Sequence, residues 1–412
     1  VEQAAARQWI EGRVRAAKNT HELRDYQRET LEKALTVGWG RAALATNSGK
    51  GAVLALIARW ALDQGHSALV LCDELAVFDA LKGELEEWAG LVVGEELTLV
   101  SSGRKSVPLL PGVTLAMVPT LARRLARAGW QEWLSQHQVV LLDEADKATA
   151  NGWQKILKAC TGSRWRVGFS GTFPDDPFEE LVIDETMGPV LTRARNIDMI
   201  ERGVSARPSV ELHRYDATHV LTLPGMWPRK WTGSELRNLV YKHAILNNTH
   251  RHAFVAGLVQ DDTPTAIIIN RVEHGHDLLQ HVPGAEYLDG SASEAQRLRV
   301  LEAFEAGEVQ VVIATKILDR GTNRLGRAHD LIFASGEGSQ RQLLQRVGRG
   351  LRRAGGKEFL RIVDVLDVVN EGAVSETTSA QKAARFAKYL NGAVQRRLEM
   401  YNGEGFDVEI VP

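Results

Sequence analysis

The sequence predicts an α/β fold with two parallel sheets in tandem. Short β-branched runs are each followed by a turn and then a helical pattern, a cycle repeated along the chain. That cycle is the signature of strand–helix–strand crossovers. The runs fall into two sets separated by a proline-bearing stretch. A length of 412 residues leaves room for about two to four domains with cores of their own.

In chain order, residues 1–20 read as a helical extension. Residues 21–175 hold the first set of strands: Arg41–Ala45, Ser67–Cys72, Val113–Val118, Gln138–Leu142 and Arg166–Phe169. Helical patterns lie between them at Gly51–Gln64 and Phe78–Trp88. Residues 176–255 are less regular and read as a connecting insert. From Pro174 to His252, Pro174, Pro177, Pro189, Pro208, Pro224 and Pro228 make up half of the chain's 12 prolines, and proline interrupts helices and sheet ladders alike. The insert is locally basic, with ten Lys/Arg against five Asp/Glu between Val190 and His252. Residues 256–370 hold the second set: Thr265–Ile269, Ala285–Leu288, Gln310–Ala314, Asp330–Ala334 and Arg361–Val365, with a helix at Ala295–Ala306. Residues 371–412 read as a C-terminal extension, with a helix over Ser379–Met400 and a short strand at Val408–Val411.

Hydrophobic residues make up 44% and charged residues 25% of the chain, which is ordinary for a globular protein and excludes disorder, collagen and disulfide-stapled scaffolds. No run approaches the roughly 18 apolar residues of a membrane-spanning helix. Val1 to Arg15 lack the apolar core of a secretory signal. A cytoplasmic location is therefore expected, nucleoid-associated in a bacterium or phage and nuclear in a eukaryote. The chain opens at Val1 without methionine, as an excised fragment would, so an accessory domain or protein partner stays open beside the expectation of a monomer. Cys72 and Cys160 lie far apart and suit a reducing compartment. His274 and His276, two residues apart, are given no metal role. A net charge of −2 announces no nucleic-acid partner, so any such partner must rest on local motifs.

The segment Leu44-Ala-Thr-Asn-Ser-Gly-Lys-Gly51 follows a strand and opens a helix, the setting of a phosphate-binding loop. Amides at a helix N-terminus cradle polyphosphate; Gly49 allows close approach and Lys50 reaches the β/γ-phosphates. The Ser or Thr that usually follows the lysine and ligates Mg²⁺ is Gly51 here. Val139-Val-Leu-Leu-Asp-Glu-Ala-Asp146 is an apolar run ending in carboxylates, and ligands of parallel sheets bind at the C-terminal ends of strands. Asp143 suits Mg²⁺ held through water, and Glu144 a base that orients the attacking water. Ser170-Gly-Thr172 follows the next strand and could bond those carboxylates.

These motifs, in this order, resemble the superfamily 2 helicases and translocases over roughly Leu23 to Arg353. The resemblance implies two tandem RecA-like domains of the P-loop NTPase type, with ATP and Mg²⁺ as cofactors. Leu23-Arg24-Asp-Tyr-Gln27 resembles the adenine-recognition element, with Gln27 on the base edge and Arg24 beside it. Thr46, Asn47, Ser48, Gly49, Lys50 and Gly51 resemble motif I, Asp143–Asp146 motif II and Ser170–Thr172 motif III. Ala266–Arg271 resembles motif IV. Thr315 through Asn323, with Gly321, resembles motif V, whose Gly321 and Asn323 are implied on the nucleotide. Gln345-Arg-Val-Gly-Arg-Gly-Leu-Arg352 resembles motif VI, with Gln345 catalytic and Arg349 and Arg352 the arginine fingers reaching the γ-phosphate across the interdomain cleft. Ser101, Gly103, Thr120, Arg271 and Thr315 take the positions of nucleic-acid phosphate contacts.

The literal DEAD spelling resembles RNA helicases. The Ser-Gly-Thr motif III, Gln345, Asn270-Arg-Val-Glu-His274 and Arg385-Phe-Ala-Lys-Tyr389 look more like XPB and the phage UvsW type. That group implies duplex, forked or branched DNA in preference to RNA, and work in DNA repair or recombination. Three other readings stay open: a nucleotide-gated DNA-binding protein with weak ATPase, which the missing hydroxyl at Gly51 favours; an RNA helicase; and the motor subunit of a restriction or remodelling complex. Leu71-Cys-Asp-Glu-Leu75 puts acid where the family often contacts phosphate, and Trp227-Pro-Arg-Lys-Trp231 is either a stacking element or domain packing.

Overall fold

The computed structural model describes residues 2–16, 22–101, 111–173, 176–222, 233–315, 326–335, 343, 346–348, 350–353, 357–376 and 380–411. The chain divides into two compact units, Val1–Met199 and Ile200–Pro412.

Among the described residues of the first unit, seven parallel strands form one sheet: β1 (Trp39–Leu44), β2 (Ala68–Cys72), β3 (Leu97–Val100), β4 (Val113–Met117), β5 (Val139–Asp143), β6 (Trp165–Ser170) and β7 (Val190–Ala194). Their order is β3-β4-β2-β5-β6-β1-β7. Val139, Val140, Leu141 and Leu142 are wholly buried, because helices cover both faces of a parallel sheet; hence the unbroken apolar run in the sequence. Helix α1 (Gln3–Ala16) lies on α2 (Asp25–Val37), with Arg7 Nε 2.9 Å from Glu32 Oε2. Trp9 ties α1 to α3 (Lys50–Asp63) through Asp63 Oδ2 at 3.1 Å. Helix α4 (Leu75–Ala89) packs beside α3 and buries Phe78, Leu81 and Leu85.

Register puts the motif-bearing strand ends together. β5 and β6 pair with Asp143 opposite Phe169, and β6 and β1 pair with Ser170 opposite Ala43. The turns after β1, β5 and β6 therefore lie side by side on one edge. This is where ligands of α/β sheets bind.

In the second unit the sheet comprises β8 (Arg207–Asp216), β9 (Thr265–Ile268), β10 (Glu286–Leu288), β11 (Val311–Ala314), β12 (Asp330–Phe333), β13 (Phe359–Val368) and β14 (Asp407–Val411). All described pairings are parallel, in the order β10-β11-β9-β12-β13-β8-β14. Successive residues of β9 enter opposite cores: Ala266 and Ile268 face Phe304 and Phe333, whereas Ile267 packs with Val255 and Phe386. That is the period-two geometry of a strand.

Two segments are organised differently from the expectation. The stretch 176–255, read as a connecting insert, is divided between the sheets. Pro177–Met187 is a helix, capped by Asp176 Oδ1 accepting from the amides of Phe178 and Glu179 at 3.0 Å each. β7 pairs with β1 as an edge strand, and β8 pairs with β13 along ten residues. Pro189 and Pro208 obscured these strands, and β8 buries alternate residues (Pro208, Val210, Leu212) rather than forming an apolar run. The stretch 371–412 is likewise integral to the second sheet. β14 pairs with β8, and the helix Ala380–Gly403 buries Phe386, Met400 and Tyr401. Its Tyr401 hydroxyl and Arg397 both lie 3.0 Å from Asp364 Oδ2, a carboxylate with no exposure.

The charged pair Arg251–Asp367 locks this unit. Arg251 has no exposed surface. Its Nε and Nη2 donate to Asp367 Oδ1 and Oδ2 at 2.5 and 3.1 Å, and Nη1 donates to Ala334 O at 2.6 Å. One guanidinium thus joins the helix Thr249–Gly257, the end of β12 and the end of β13. Removing one partner of a buried pair leaves the other charge uncompensated, at about 3–5 kcal/mol. Arg251→Met should lower stability by about that amount in urea unfolding, and Arg251→Met/Asp367→Leu should recover most of it.

Candidate nucleotide and nucleic-acid sites

The loop after β1 is held from below by α2. Gln27 Nε2 donates to Ser48 O at 2.8 Å and Gly49 O at 3.3 Å, and Gln27 Oε1 accepts from Arg24 N at 2.9 Å. The Tyr26 hydroxyl donates to Ser48 O at 2.7 Å, and Arg24 Nη1 reaches Ser48 O at 3.4 Å. Gln27, expected on a base edge, is buried beneath the loop with its amide bonded to the chain at both ends. Asn47 and Gly49 both take left-handed φ, 72° and 73°. A Cβ at Gly49 would also collide with the Gln27 amide nitrogen, so glycine is required there for space as well as for φ. Thr46 is half-buried in the turn. Lys50 then opens α3, whose first amides lack an i−4 carbonyl within the helix, that of Ala52 turning to Gly49 O at 3.2 Å.

Asp143 and Glu144 face this lysine. Lys50 Nζ lies 3.9 Å from Asp143 Oδ1 and 3.7 Å from Glu144 Oε1. Glu144 turns the chain out of β5 with φ 56°, a left-handed geometry that a bulky residue adopts at a cost of about 1–2 kcal/mol and that recurs at functional sites. Asp143 is 7% exposed, and its Oδ1 has no hydrogen bond among the described residues. Burial pushes its carboxyl up to about 6, against the opposing pull of Lys50. A buried carboxylate oxygen without a donor, beside an ammonium and a helix N-terminus, suits a divalent cation carrying polyphosphate. Ser48, wholly buried, has an Oγ likewise without a hydrogen bond among the described residues.

Two neighbouring motifs lock onto this edge. The Ser170 hydroxyl donates to Asp146 Oδ1 at 2.9 Å. A Cβ at Gly171 would lie 3.4 Å from Leu44 O and from Thr46 N, so the turn after β6 rests against the loop after β1. The unexpected acids after β2 are matched by a cation from the neighbouring turn: Lys147 Nζ lies 3.0 Å from Asp73 Oδ2 and 3.3 Å from Glu74 Oε1. Burial pulls the Lys147 ammonium down, but Asp73 and Glu74 outweigh it and raise its pKa. Nothing in the sequence links position 147 to 73; parallel register does. Tyr26, which the motif contains without assigning it a role, and Glu84, outside every motif, are further residues of this edge, Glu84 lying against Gly51.

The candidate nucleic-acid residues sit on the same edge of each sheet. In the first unit Ser101 follows β3, and Thr120, 6% exposed, starts the helix after β4. Arg124 is buried, with Nη2 on Ser101 O at 3.1 Å and its guanidinium over the Trp130 ring; it shapes the Ser101 turn. In the second unit Arg271 follows β9, stacks over Tyr241 and donates to Asn238 Oδ1 at 2.8 Å. Thr315 follows the adjacent β11, with its amide on Leu288 O at 3.1 Å. Gly103, Trp227–Trp231, Gly321, Asn323, Gln345 and Arg349 lie outside the described residues. Of motif VI, Val347 and Leu351 enter the core, and Arg352 forms an antiparallel bridge with Ser205. The neighbouring Lys357, its ammonium pulled down to about 8 by burial, donates to Gly350 O and Ala328 O at 2.5 and 2.8 Å.

Residues 20–175 match the family described as Type III restriction enzyme, res subunit, and residues 250–354 match the Helicase conserved C-terminal domain. The chain is 19% identical over 391 residues to the ATP-dependent DNA helicase uvsW of Enterobacteria phage T4, covering 93% of this chain and 75% of that one. It is 21% identical over 406 residues to the DNA 3'-5' translocase XPB2 of Sulfurisphaera tokodaii, covering 89% and 85%. It is 26% identical over 222 residues to the ATP-dependent RNA helicase RhlB of Pseudomonas aeruginosa, covering 52% of this chain and 48% of that one, so the match spans about half of that relative. The fold is shared with S. cerevisiae Dbp5 bound to RNA and ADP BeF3, at TM-score 0.58 and 15% identity, covering 98% of this chain and 93% of that one. Two tandem RecA-like domains are therefore the architecture.

The raised Asp143 pKa has a stability consequence. Its folded value, about 6, exceeds the ordinary 3.8. The carboxyl therefore contributes its stability below about pH 4 and loses it as pH rises through 6. The loss is on the order of 3 kcal/mol. Asp143→Asn should make the nucleotide-free protein more stable at pH 7, by roughly 1–3 kcal/mol, and the gain should vanish below about pH 4 in urea unfolding across pH 3–8.

Proposed function

The chain belongs to the superfamily 2 helicases, which are ATP-hydrolysing enzymes, and on that premise we propose that it is an ATP-driven motor acting on duplex, forked or branched DNA. The observation that carries the choice of substrate is the extent of the matches. Two relatives named for DNA, uvsW and XPB2, align over 93% and 89% of this chain, whereas the RNA helicases RhlB and CrhR align over 52% and 69%.

The residues divide the work as follows. The Lys50 ammonium takes up charge on the β- and γ-phosphates, while the amides opening α3 cradle them. Asp143 would hold Mg²⁺, which when bound would neutralise phosphate charge. Glu144 accepts a hydrogen bond from the attacking water and aligns it with the γ-phosphorus; ADP and inorganic phosphate leave. Arg349 and Arg352 stabilise charge that develops on the transferring group. Ser170, bonded to Asp146, carries the state of this carboxylate turn into the sheet edge. Ser101, Gly103, Thr120, Arg271 and Thr315 contact the nucleic-acid backbone. The pairing of Asp73 and Glu74 with Lys147 supports their place here, because it lowers the repulsion these acids would exert on a phosphate backbone.

Steady-state ATPase at low salt tests this, with no nucleic acid, single-stranded DNA, duplex, forked DNA and RNA in parallel. Duplex or forked DNA should stimulate turnover most, and Glu144→Gln should lower kcat by about 10²–10⁴-fold. Stimulation by RNA alone would replace DNA with RNA as the substrate. Turnover no higher than that of Glu144→Gln on every substrate would favour a nucleotide-gated binder.

A further inference from the structure

We infer that Glu84, on the neighbouring helix α4, supplies the oxygen ligand to Mg²⁺ that position 51 lacks. The inference rests on the reading of the Lys50 loop as an ATP·Mg²⁺ site, and it names a residue outside the motifs.

Gly51 is the second residue of α3. A Cβ built there would lie 3.0 Å from Glu84 Cγ, 3.1 Å from Cδ and 3.2 Å from Oε1. The Glu84 carboxylate therefore fills the volume into which a serine or threonine hydroxyl at position 51 would extend. The packing of α3 against α4 explains how it arrives there. Phe78, Leu81 and Leu85 form the buried stripe of α4, and Glu84, three residues after Leu81, flanks that stripe, half-buried. Glycine at 51 and glutamate at 84 are thus a matched pair, since a side chain at 51 would displace the carboxylate.

Two further observations point to a cation. Asp143, more than nine-tenths buried and facing Lys50, has an Oδ1 without a hydrogen bond among the described residues. It is an oxygen whose natural complement is a ligand. The α3 helix also has no acidic residue in its own first turn, so Glu84 brings negative charge to a helix end that is otherwise suited to polyphosphate. Carboxylate and phosphate, as like charges, repel each other. A divalent cation between carboxylate and phosphate reverses the sign. Mg²⁺ is commonly held by one or two carboxylates together with phosphate oxygens and waters. No group of three or more metal-ligating side chains converges among the described residues, in keeping with this sparse ligation rather than an all-protein cage. Glu84 and Asp143 supply the two carboxylates.

The test measures Mn²⁺ binding by electron paramagnetic resonance in the presence of ADP, and fluorescent ADP affinity with and without Mg²⁺. The proteins are the native chain, Glu84→Gln, Glu84→Ala, Gly51→Thr and Gly51→Thr/Glu84→Ala, each checked for native thermal unfolding. Glu84→Gln and Glu84→Ala should weaken Mn²⁺ binding and the metal-promoted part of ADP affinity about 10-fold or more, while metal-free ADP affinity does not fall. Gly51→Thr/Glu84→Ala should regain most of the metal affinity, because the hydroxyl then occupies the vacated volume. Metal dependence that is native-like in both Glu84 variants overturns this inference and leaves the ATP·Mg²⁺ site standing. An equal fall in metal-free affinity also overturns it, because Glu84 would then act through packing. Native protein whose ADP affinity ignores Mg²⁺ overturns the ATP·Mg²⁺ reading, and this inference with it.

Discussion

Asp143 ends a strand whose other four residues are wholly buried, and Lys50 Nζ lies 3.9 Å from its carboxylate. That placement is costly, since burial opposes ionisation and drives the carboxyl up to about 6. Much of the first unit serves to keep it there. β6 lies next to β5 and β1 next to β6, so Ser170 at the end of β6 reaches Asp146 and Lys50, after β1, faces the carboxylates. Tyr26 and Gln27 fix that loop through the Ser48 and Gly49 carbonyls. The destabilised charge and the left-handed backbone at Asn47 and Glu144 are features that a purely structural edge would not keep.

The second unit is organised by buried charge of another kind. Arg251 with Asp367, and Arg397 and Tyr401 with Asp364, tie helices to the ends and middle of β13. Each carboxylate is matched by donors within the same core. Pairs of this sort add little net stability over apolar packing, but they penalise any rearrangement that separates them. Lys357 works similarly on motif VI, its ammonium closing the carbonyls of Gly350 and Ala328. In the second unit these carboxylates face Arg and Tyr donors at 2.5–3.1 Å, whereas Lys50 Nζ stands 3.9 Å from Asp143 Oδ1.

Departures from the family pattern make sense as compensations between distant positions. Acid at Asp73 and Glu74 is answered by Lys147, and the missing side chain at Gly51 is answered by Glu84. In both cases a change at one position is balanced by a residue distant in the sequence. Single-motif comparison sees each as a loss.

The strands with continuous apolar runs were legible in the sequence, because burial on both faces leaves no polar position to blur them; β2, β5, β9 and β11 lie where those runs predict. The loop at Lys50 and the carboxylates at Asp143 and Glu144 were legible for a similar reason, since phosphate and cation chemistry restrict both residue type and spacing. β7 and β8 were not, because an edge strand and an alternating strand, each next to proline, carry no such run. The place of the tail in the second sheet, the commitment of Gln27 to the loop, the Lys147 pair and the approach of Glu84 to Gly51 were decided only by tertiary structure. Each depends on which strand lies beside which, and strand order is set by the packing of whole helices on the sheet, information spread over the chain rather than held in any local pattern.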